Sequence, residues 1–399
     1  MLTYTESLRL LLQLERLGMK FGLQGIYRLL KELSNPHKKF KALHIAGTNG
    51  KGSTASMIAA ILTSAGYRTG LYTSPHLVRF EERIRIDGKP IAKVAVARLT
   101  SKLKKSILTQ HPTFFEATTA LAFAHFAAEE VDIAVVEAGL GGRLDSTNVI
   151  RPLVSIITNV GLDHTEILGG TVGKIAFEKA GIIKRGRPCV TATEDRAALS
   201  VIRRVGRRQN SQIFIATDYS VKVHSSGLEG STLDFTGKGV SFKNLKLSLP
   251  GRHQFNNLAL ALTTLEILRA SGEFDLSEES EREGLSNVQE LTGLTGRLSV
   301  IREQPRIVAD VAHNPDAVKV LVEALRAFKL GRLVTVFGVL KDKEYLPMVL
   351  DLASLSEDVV AVAPRSARAR SASDVAAAFQ RAGSRVRAAL SVEAGIALA

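Results

Sequence analysis

The sequence contains one cysteine, Cys189, so it can form neither a disulfide within the chain nor a cysteine metal cluster. A reducing, cytoplasmic setting is the expectation that follows. Tryptophan is absent and aromatics make up only 6% of the residues. With no interleaving of aromatic and basic residues and no recognised binding motif, nucleic acid is not expected as a partner. Nowhere do about 18 apolar residues run together, so no membrane span is expected. The N-terminus, MLTYTESLRLLLQLERLG, lacks a signal peptide's basic start and unbroken apolar core; Glu6, Arg9, Glu15 and Arg16 interrupt it as on an amphipathic helix. Repeat arrays and disorder-type composition are also missing.

What is present is enough for two or three domains: 399 residues, 45% of them hydrophobic. Fifty-three basic against 39 acidic residues give a formal charge of +14, a field suited to anionic ligands but not diagnostic of one.

The chain is organised around residues 43–54, LHIAGTNGKGST. The apolar run Leu43 to Ala46 leads into Gly47, Thr48, Asn49, Gly50, Lys51, Gly52, Ser53 and Thr54, and a helical pattern follows through Ala65. Strand, glycine loop and helix in that order make an anion site. Glycines let the backbone wrap a phosphate, backbone N–H groups and the helix N-terminus supply positive potential, and Lys51 reaches terminal phosphates. The spacing departs from the general pattern G-x-x-x-x-G-K-[ST]: Gly47 and Gly50 lie three apart, and Gly52 follows Lys51 where Ser or Thr would stand. That departure speaks against an ordinary P-loop kinase or GTPase.

Around this loop, apolar runs at 42–46, 69–74, 131–138, 152–160 and 187–192 alternate with helical patterns, which predicts parallel strands with crossover helices. The expected fold is α/β: a P-loop-containing, mostly parallel sheet domain over 1–294 with a β insertion at about 212–249, followed by a smaller Rossmann-like α/β domain over 295–399. The stretch 275–293, rich in Glu and Ser, reads as connector. In the last hundred residues, strands are expected near 298–302, 306–312, 332–339 and 358–363, with helices near 315–329, 344–355 and 373–382. The arginines at 365, 368, 370, 381, 385 and 387 read as a solvated face.

Several residues invite chemistry by position. Glu137 ends an apolar run just before a glycine loop, where a carboxylate at a strand's C-terminal edge offers the hard oxygen that magnesium prefers; pairing with a nearby backbone or arginine is the bland alternative. Val172, Ile175, Ala176 and Lys179 fall at i, i+3, i+4 and i+7, so Lys179 lies on an inward stripe and needs a partner, a modification or a path to the edge. His164, after Asp163, is by itself an ordinary hydrogen-bonding histidine. Asp145 suits a turn cap, Phe115 a core, and Asn257 a helix start. Arg297 follows Gly296 at the expected hinge, with a guanidinium suited to phosphate or to a hinge salt bridge.

The string GTNGKGS, preceded by Asn35-Pro36-His37, resembles the folylpolyglutamate synthase and dihydrofolate synthase family of the Mur ligase superfamily. Further strings recur in family order: TSPHL at 73–77, VVEAGLGGRLDSTN at 135–148, ITNVGLDHTEILGGT at 157–171, EKAGIIK at 178–184 and DVAHNPDA at 310–317. The resemblance implies a monomeric ATP-dependent ligase joining L-glutamate to a pteroate or folate carboxylate, with two magnesium ions. It implies that Lys51, Glu137, His164 and Lys179 are catalytic, that Ser74 and Glu137 share one magnesium, and that His164 contacts a second. Lys179 is expected to be carbamylated and so to offer an anionic oxygen. By the same resemblance Phe115 stacks the pterin, Asp145 contacts it and Asn257 lies near adenine. Arg297, Asp310 and His313 are expected to reach the nucleotide from the second domain. The remaining alternatives are a sister ligase of cell-wall synthesis, a P-loop phosphotransferase and a non-catalytic basic nucleotide- or RNA-binding module.

Overall fold

The structure, a computed structural model, describes every residue except Met19 and Phe21; the side chains of Arg16 and Leu17 also lie outside the described set, and with them the Arg16 charge read above. The chain divides into two compact units, one of Met1–Ser225, Gly230–Leu249 and Gln254–Thr295, the other of Ser226–Glu229, Pro250–His253 and Gly296–Ala399.

The first unit opens with α1 (Tyr4–Gln13), held by a capping box in which Thr3 and Glu6 exchange hydrogen bonds, and α2 (Gln24–Glu32). Next come β1 (Lys41–Ala46), α3 (Lys51–Ser64), β2 (Thr69–Tyr72), β3 (Ile84–Ile86), β4 (Lys89–Pro90), α4 (Lys93–Gln110), α5 (Phe114–Ala128) and β5 (Ile133–Glu137). The chain continues through β6 (Val154–Ile157), α6 (Thr165–Leu168), α7 (Val172–Ala180), β7 (Cys189–Thr191), α8 (Arg196–Arg208) and β8 (Ile213–Ile215). These strands form one eight-stranded sheet in the order β4-β3-β2-β5-β1-β6-β7-β8. From β2 to β8 it is parallel, while β3 and β4 add an antiparallel edge.

The period of two along the strands sorts side chains onto two buried faces. Leu43 and Ile45 of β1, with Ile133 and Val135 of β5, point into a core shared with α3. Ala42, Ala134 and Val136 point into the opposite core, with α2, α4 and α5. β1 is therefore covered on both sides, and its C-terminal end is fixed between those of β5 and β6. An open α/β sheet binds its ligands at such strand ends.

A second, three-stranded sheet follows, of β9 (Tyr219–Gly227), β10 (Gly230–Gly237) and β11 (Val240–Leu247) in the order β11-β10-β9. The sequence reading began this insertion at 212. In the structure Ile213–Ile215 pairs parallel with β7 and belongs to the main sheet. Too short to show a period, the strand is identified only by its partner. After α9 (Gln254–Ala270), the stretch read as connector is mostly helical: α10 (Glu278–Ser286) and α11 (Val288–Thr292). Its contact with α3 is made by backbone, since a Cβ on Gly284 would stand 2.6 Å from Ile61 Cα, while Leu285 and Val288 enter the core. A face built on glycine and serine escapes a hydrophobicity pattern.

The second unit begins with the hairpin β12 (Ser299–Glu303) and β13 (Arg306–Ala309). It continues as α12 (Pro315–Ala327), β14 (Val334–Phe337), α13 (Tyr345–Ala353), β15 (Asp358–Ala361), α14 (Ala372–Arg381), β16 (Arg385–Ala388) and α15 (Val392–Leu398). Strands β14, β15 and β16 form a parallel sheet over a core that includes Val318, Met348, Val359 and Phe379. β16 was hidden in the arginine-rich tail, where Arg385 turns out to hold Asp358 at 2.9 Å across the strand pair. Among the described residues no helix is long and apolar enough to cross a membrane.

Candidate active site

The glycine loop lies where β1 ends, and its neighbour is the segment after β6. Gly47 has no room for a side chain: a Cβ there would stand 1.8 Å from Thr158 Oγ1. That hydroxyl donates to the Asn49 carbonyl at 2.6 Å. The Asn49 N–H donates to Asn159 Oδ1 at 2.8 Å, and the Gly161 N–H donates to Thr48 Oγ1 at 3.0 Å. The loop is thus tied through Thr48 and Asn49 to three residues of a second polar segment, which fixes its shape. Gly50 takes a left-handed φ of 83° and opens α3 without any side-chain cap. An uncapped helix N-terminus directs N–H groups outward, as an anion site requires. Lys51 Nζ folds back on the loop and donates to the carbonyls of Gly47 and Thr48 at 3.1 and 3.2 Å. Gly52, Ser53 and Thr54 are buried in the first turn of α3.

Asn257 meets this loop from α9. It is buried, receives the Thr54 hydroxyl at 3.3 Å and donates from Nδ2 to Gln254 Oε1 at 2.9 Å. It sits within the first turn of the helix, with its side chain turned to Gly50.

Glu137 is 4% exposed at the end of β5, and its Oε2 accepts the Ser74 N–H at 3.0 Å. Arg83, also buried, adds positive charge near Glu137 and Tyr72, donates from Nε to His76 Nδ1 at 2.7 Å and lies over the Phe114 ring. Sequence reasoning passed over Arg83, Thr158 and Asn159. The signal for the last two was a polar pair placed directly at the end of an apolar run.

His164 stands just before α6, at its N-cap, with a φ of 51°. Asp163 Oδ1 accepts its backbone N–H at 2.9 Å and lies 3.9 Å from its Nε2. Lys179 is 3% exposed on the inward stripe of α7. Burial first, then the charge of Lys51, pushes its ammonium down to about 7, with Asp163 opposing. Those couplings bring Lys51, Asp163 and Lys179 into one electrostatic neighbourhood.

Among the described residues no three or more His, Cys, Asp or Glu side chains gather as a self-sufficient metal cage. Glu137 beside Ser74 offers one carboxylate and a hydroxyl, a donor set that fits magnesium, which keeps waters and substrate phosphates as its other ligands.

Asp145 is buried and occupied by its own turn. Its oxygens accept the Leu140 and Thr147 N–H groups, both at 2.9 Å, and the Thr147 hydroxyl at 2.5 Å. Phe115 is half-buried against this segment: a Cβ on Gly139 would stand 2.6 Å from its ring, which also leans on Tyr72.

The remaining predicted residues belong to the second unit and are close to one another there. Burial raises the Asp310 carboxyl, which accepts the N–H groups of Leu298 at 2.9 Å and Ala312 at 2.8 Å, while the charges of Arg297 and His313 act in the opposite direction. Arg297 donates to the Gly296 carbonyl at 3.0 Å, and His313 Nδ1 donates to the Val311 carbonyl at 2.9 Å.

Comparison with known proteins shows the family. Residues 45–265 match the Mur ligase middle domain, and residues 296–399 match the Mur ligase glutamate ligase domain. The dihydrofolate synthase/folylpolyglutamate synthase of Bacillus subtilis is 39% identical over 86% of this chain and 81% of its own length. Folylpolyglutamate synthase of Mycobacterium tuberculosis, solved in complex with ADP, superposes with a TM-score of 0.89 at 34% identity, covering 98% of this chain and 91% of that one. FolC of E. coli, solved with DHPP and ADP, gives a TM-score of 0.85 at 30% identity, with 98% of this chain and 91% of that one covered. With matches of this length and identity, the chain belongs to the folylpolyglutamate/dihydrofolate synthase family of Mur ligases.

Proposed function

We propose that this protein is an ATP-dependent ligase that joins L-glutamate to the carboxylate of dihydropteroate and of tetrahydrofolate polyglutamates, acting as a cytoplasmic monomer on small molecules. The observation that carries the reading is the glycine loop at the uncapped start of α3, with Lys51 over it and Glu137 on the neighbouring strand end, in a chain similar throughout to such ligases. The acceptor carboxylate attacks the γ-phosphate of ATP in line, and Lys51 with the backbone N–H groups of residues 47–54 takes up the charge that develops. ADP leaves, and an acyl phosphate remains. The amino group of glutamate then attacks the acyl carbon and expels phosphate, a far better leaving group than the oxide of a free carboxylate.

Glu137 and Ser74 would hold one magnesium ion, and His164 with Lys179 a second. When bound, these ions neutralise charge on the β- and γ-phosphates. Lys179 suits carbamylation on physical grounds. An amine with its pKa near 7 is substantially uncharged at neutral pH, the form that adds CO2 with loss of a proton, and the resulting anion would replace repulsion from Lys51 by attraction. Phe115 is the proposed pterin platform, and Asp145 shapes the turn beside it. Asn257 is placed at adenine. Arg297, Asp310 and His313 are assigned to the nucleotide from the second unit.

The test is phosphate release with MgATP and L-glutamate, comparing dihydropteroate, tetrahydrofolate and no acceptor. Glutamate-dependent release with both acceptors supports the bifunctional reading, and release with tetrahydrofolate alone narrows it to polyglutamylation. If neither stimulates release, folate specificity fails. Lys51→Ala and Glu137→Gln should each abolish release in both reactions while the fold persists; normal turnover by Lys51→Ala would refute the nucleotide assignment.

A further inference from the structure

His44 is a polar residue in an apolar place. It lies on β1, 0% exposed, in a run otherwise built from Ala42, Leu43, Ile45 and Ala46. Its Nδ1 has no hydrogen-bond partner among the described residues, so for packing alone an aliphatic side chain would serve better. Its Nε2 makes a single contact, 2.8 Å from Thr147 Oγ1. The Thr147 hydroxyl has one proton, directed at Asp145 Oδ1 2.5 Å away, so the imidazole is the donor in the other contact. Thr147 is itself 0% exposed. A closed chain of hydrogen bonds therefore runs from the central strand to the Asp145 carboxylate.

That carboxylate holds the turn beside Phe115. It accepts the N–H groups of Leu140 and Thr147, and Gly139, one residue before Leu140, is the residue against which the Phe115 ring rests. The far side of the same segment is tied elsewhere: Asn148 Nδ2 donates to the Arg143 and Gly181 carbonyls at 2.9 and 3.0 Å. Among the described residues only the His44 branch reaches Asp145 from the core of the sheet.

We infer that His44 is a positioning residue for the acceptor: its Nε2–H fixes the Thr147 hydroxyl and the Asp145 carboxylate, and through them the Gly139–Leu140 turn against Phe115. The inference rests on the reading that Phe115 and this turn receive the pterin. His44 touches no reacting atom, so its effect falls on acceptor binding and leaves the nucleotide site unchanged.

The experiment is steady-state kinetics on the full chain, with KM for the pterin acceptor and KM for ATP measured separately. His44→Leu fills the space without a donor, and Thr147→Val breaks the same chain of hydrogen bonds without altering His44. Each should raise acceptor KM about tenfold, the scale of one buried hydrogen bond, with ATP KM unchanged within about twofold. His44→Gln, whose amide can donate to Thr147, should recover most of the loss. The inference is overturned if folded His44→Leu or Thr147→Val keeps the wild-type acceptor KM, or if both KM values rise together. Phe115→Ala separates the two kinds of failure. Should it raise acceptor KM while the other two do not, the positioning role alone falls. Should none of the three change it, the placement of the acceptor at this ring falls and takes the inference with it.

Discussion

Asn257 Oδ1 stands 2.3 Å from the point that a Cβ on Gly50 would occupy, so the start of α3 and the first turn of α9 fit together only with glycine in the loop. Gly50→Ala meets two penalties there: a left-handed φ costing about 1 kcal/mol and a collision with a buried amide. The expected result is a loss of about 1–3 kcal/mol in stability together with weakened ATP binding. Adding Asn257→Ala removes the collision and leaves the strain. A double-mutant cycle by denaturant unfolding should therefore show coupling of about 1 kcal/mol or more between the two changes. Strict additivity would mean that the helix start accommodates the methyl by moving.

Thr158 carries the loop from the other side. Thr158→Val keeps the shape but removes the donor to the Asn49 carbonyl, costing about 1 kcal/mol in stability. Its larger expected effect is on ATP affinity, about tenfold weaker, because the loop's conformation is no longer fixed before binding. Isothermal titration with ATP, with unfolding as the control, checks both. Unchanged affinity would show that the Asn159 and Gly161 contacts hold the loop without this hydroxyl.

The sheet was readable because β1, β5 and β6 are short apolar runs buried on both faces, and such runs stand out from any helical pattern. Ile213–Ile215 and Arg385–Ala388 were not, since the first is too short for a period and the second alternates arginine with small apolar residues. The helix at 278–286 was obscured because it packs through Gly284. Pattern reading registers apolar side chains, whereas here close backbone approach makes the contact.

In the candidate site the chemically loud residues were legible: Lys51 in its glycine loop, Glu137 at a strand end, Lys179 on an inward stripe. The residues that hold them were not. Thr158 and Asn159 act through partners more than 100 residues away in sequence, Arg83 reaches Glu137 across a different strand, and nothing local in a sequence announces which hydroxyl meets which carbonyl. His44 was hidden for a further reason. A histidine within an apolar strand reads as an exception to the pattern until its one partner is known.

Lys179 provides a covalent test. If the buried amine takes up CO2, protein handled at neutral pH with bicarbonate should carry an adduct of one CO2 in native mass spectrometry, and mild acid should remove it. Lys179→Met should lack the adduct and lose turnover by orders of magnitude while still binding ADP. An unmodified mass under bicarbonate with full activity would leave Lys179 as an uncharged amine, and another group would have to supply the second anionic ligand.

Acidity offers a separate readout of His44. In the unfolded chain it protonates near the ordinary value of about 6.5. In the fold, burial first and the Lys184 charge second push it down to about 3. Between those values the unfolded chain binds one more proton than the folded one, so the contribution of His44 to stability is fully present above pH 6.5 and is lost as pH falls. The loss proceeds at up to about 1.4 kcal/mol per pH unit and levels off only below about 3. Asp145, reached through Thr147, has its carboxyl raised by burial, which carries the opposite sign: the fold keeps that proton longer than the unfolded chain does, so its contribution to stability is lost as pH rises. Denaturant unfolding of wild type and His44→Gln at several values between about pH 7 and about pH 5 isolates the histidine, because the variant keeps the carboxylates and removes one proton site. The wild-type curve should fall more steeply, by about one proton's worth of slope. Parallel curves would mean that His44 takes up its proton inside the fold, and with both ring nitrogens then protonated, Nδ1 would need an acceptor that the strand does not provide.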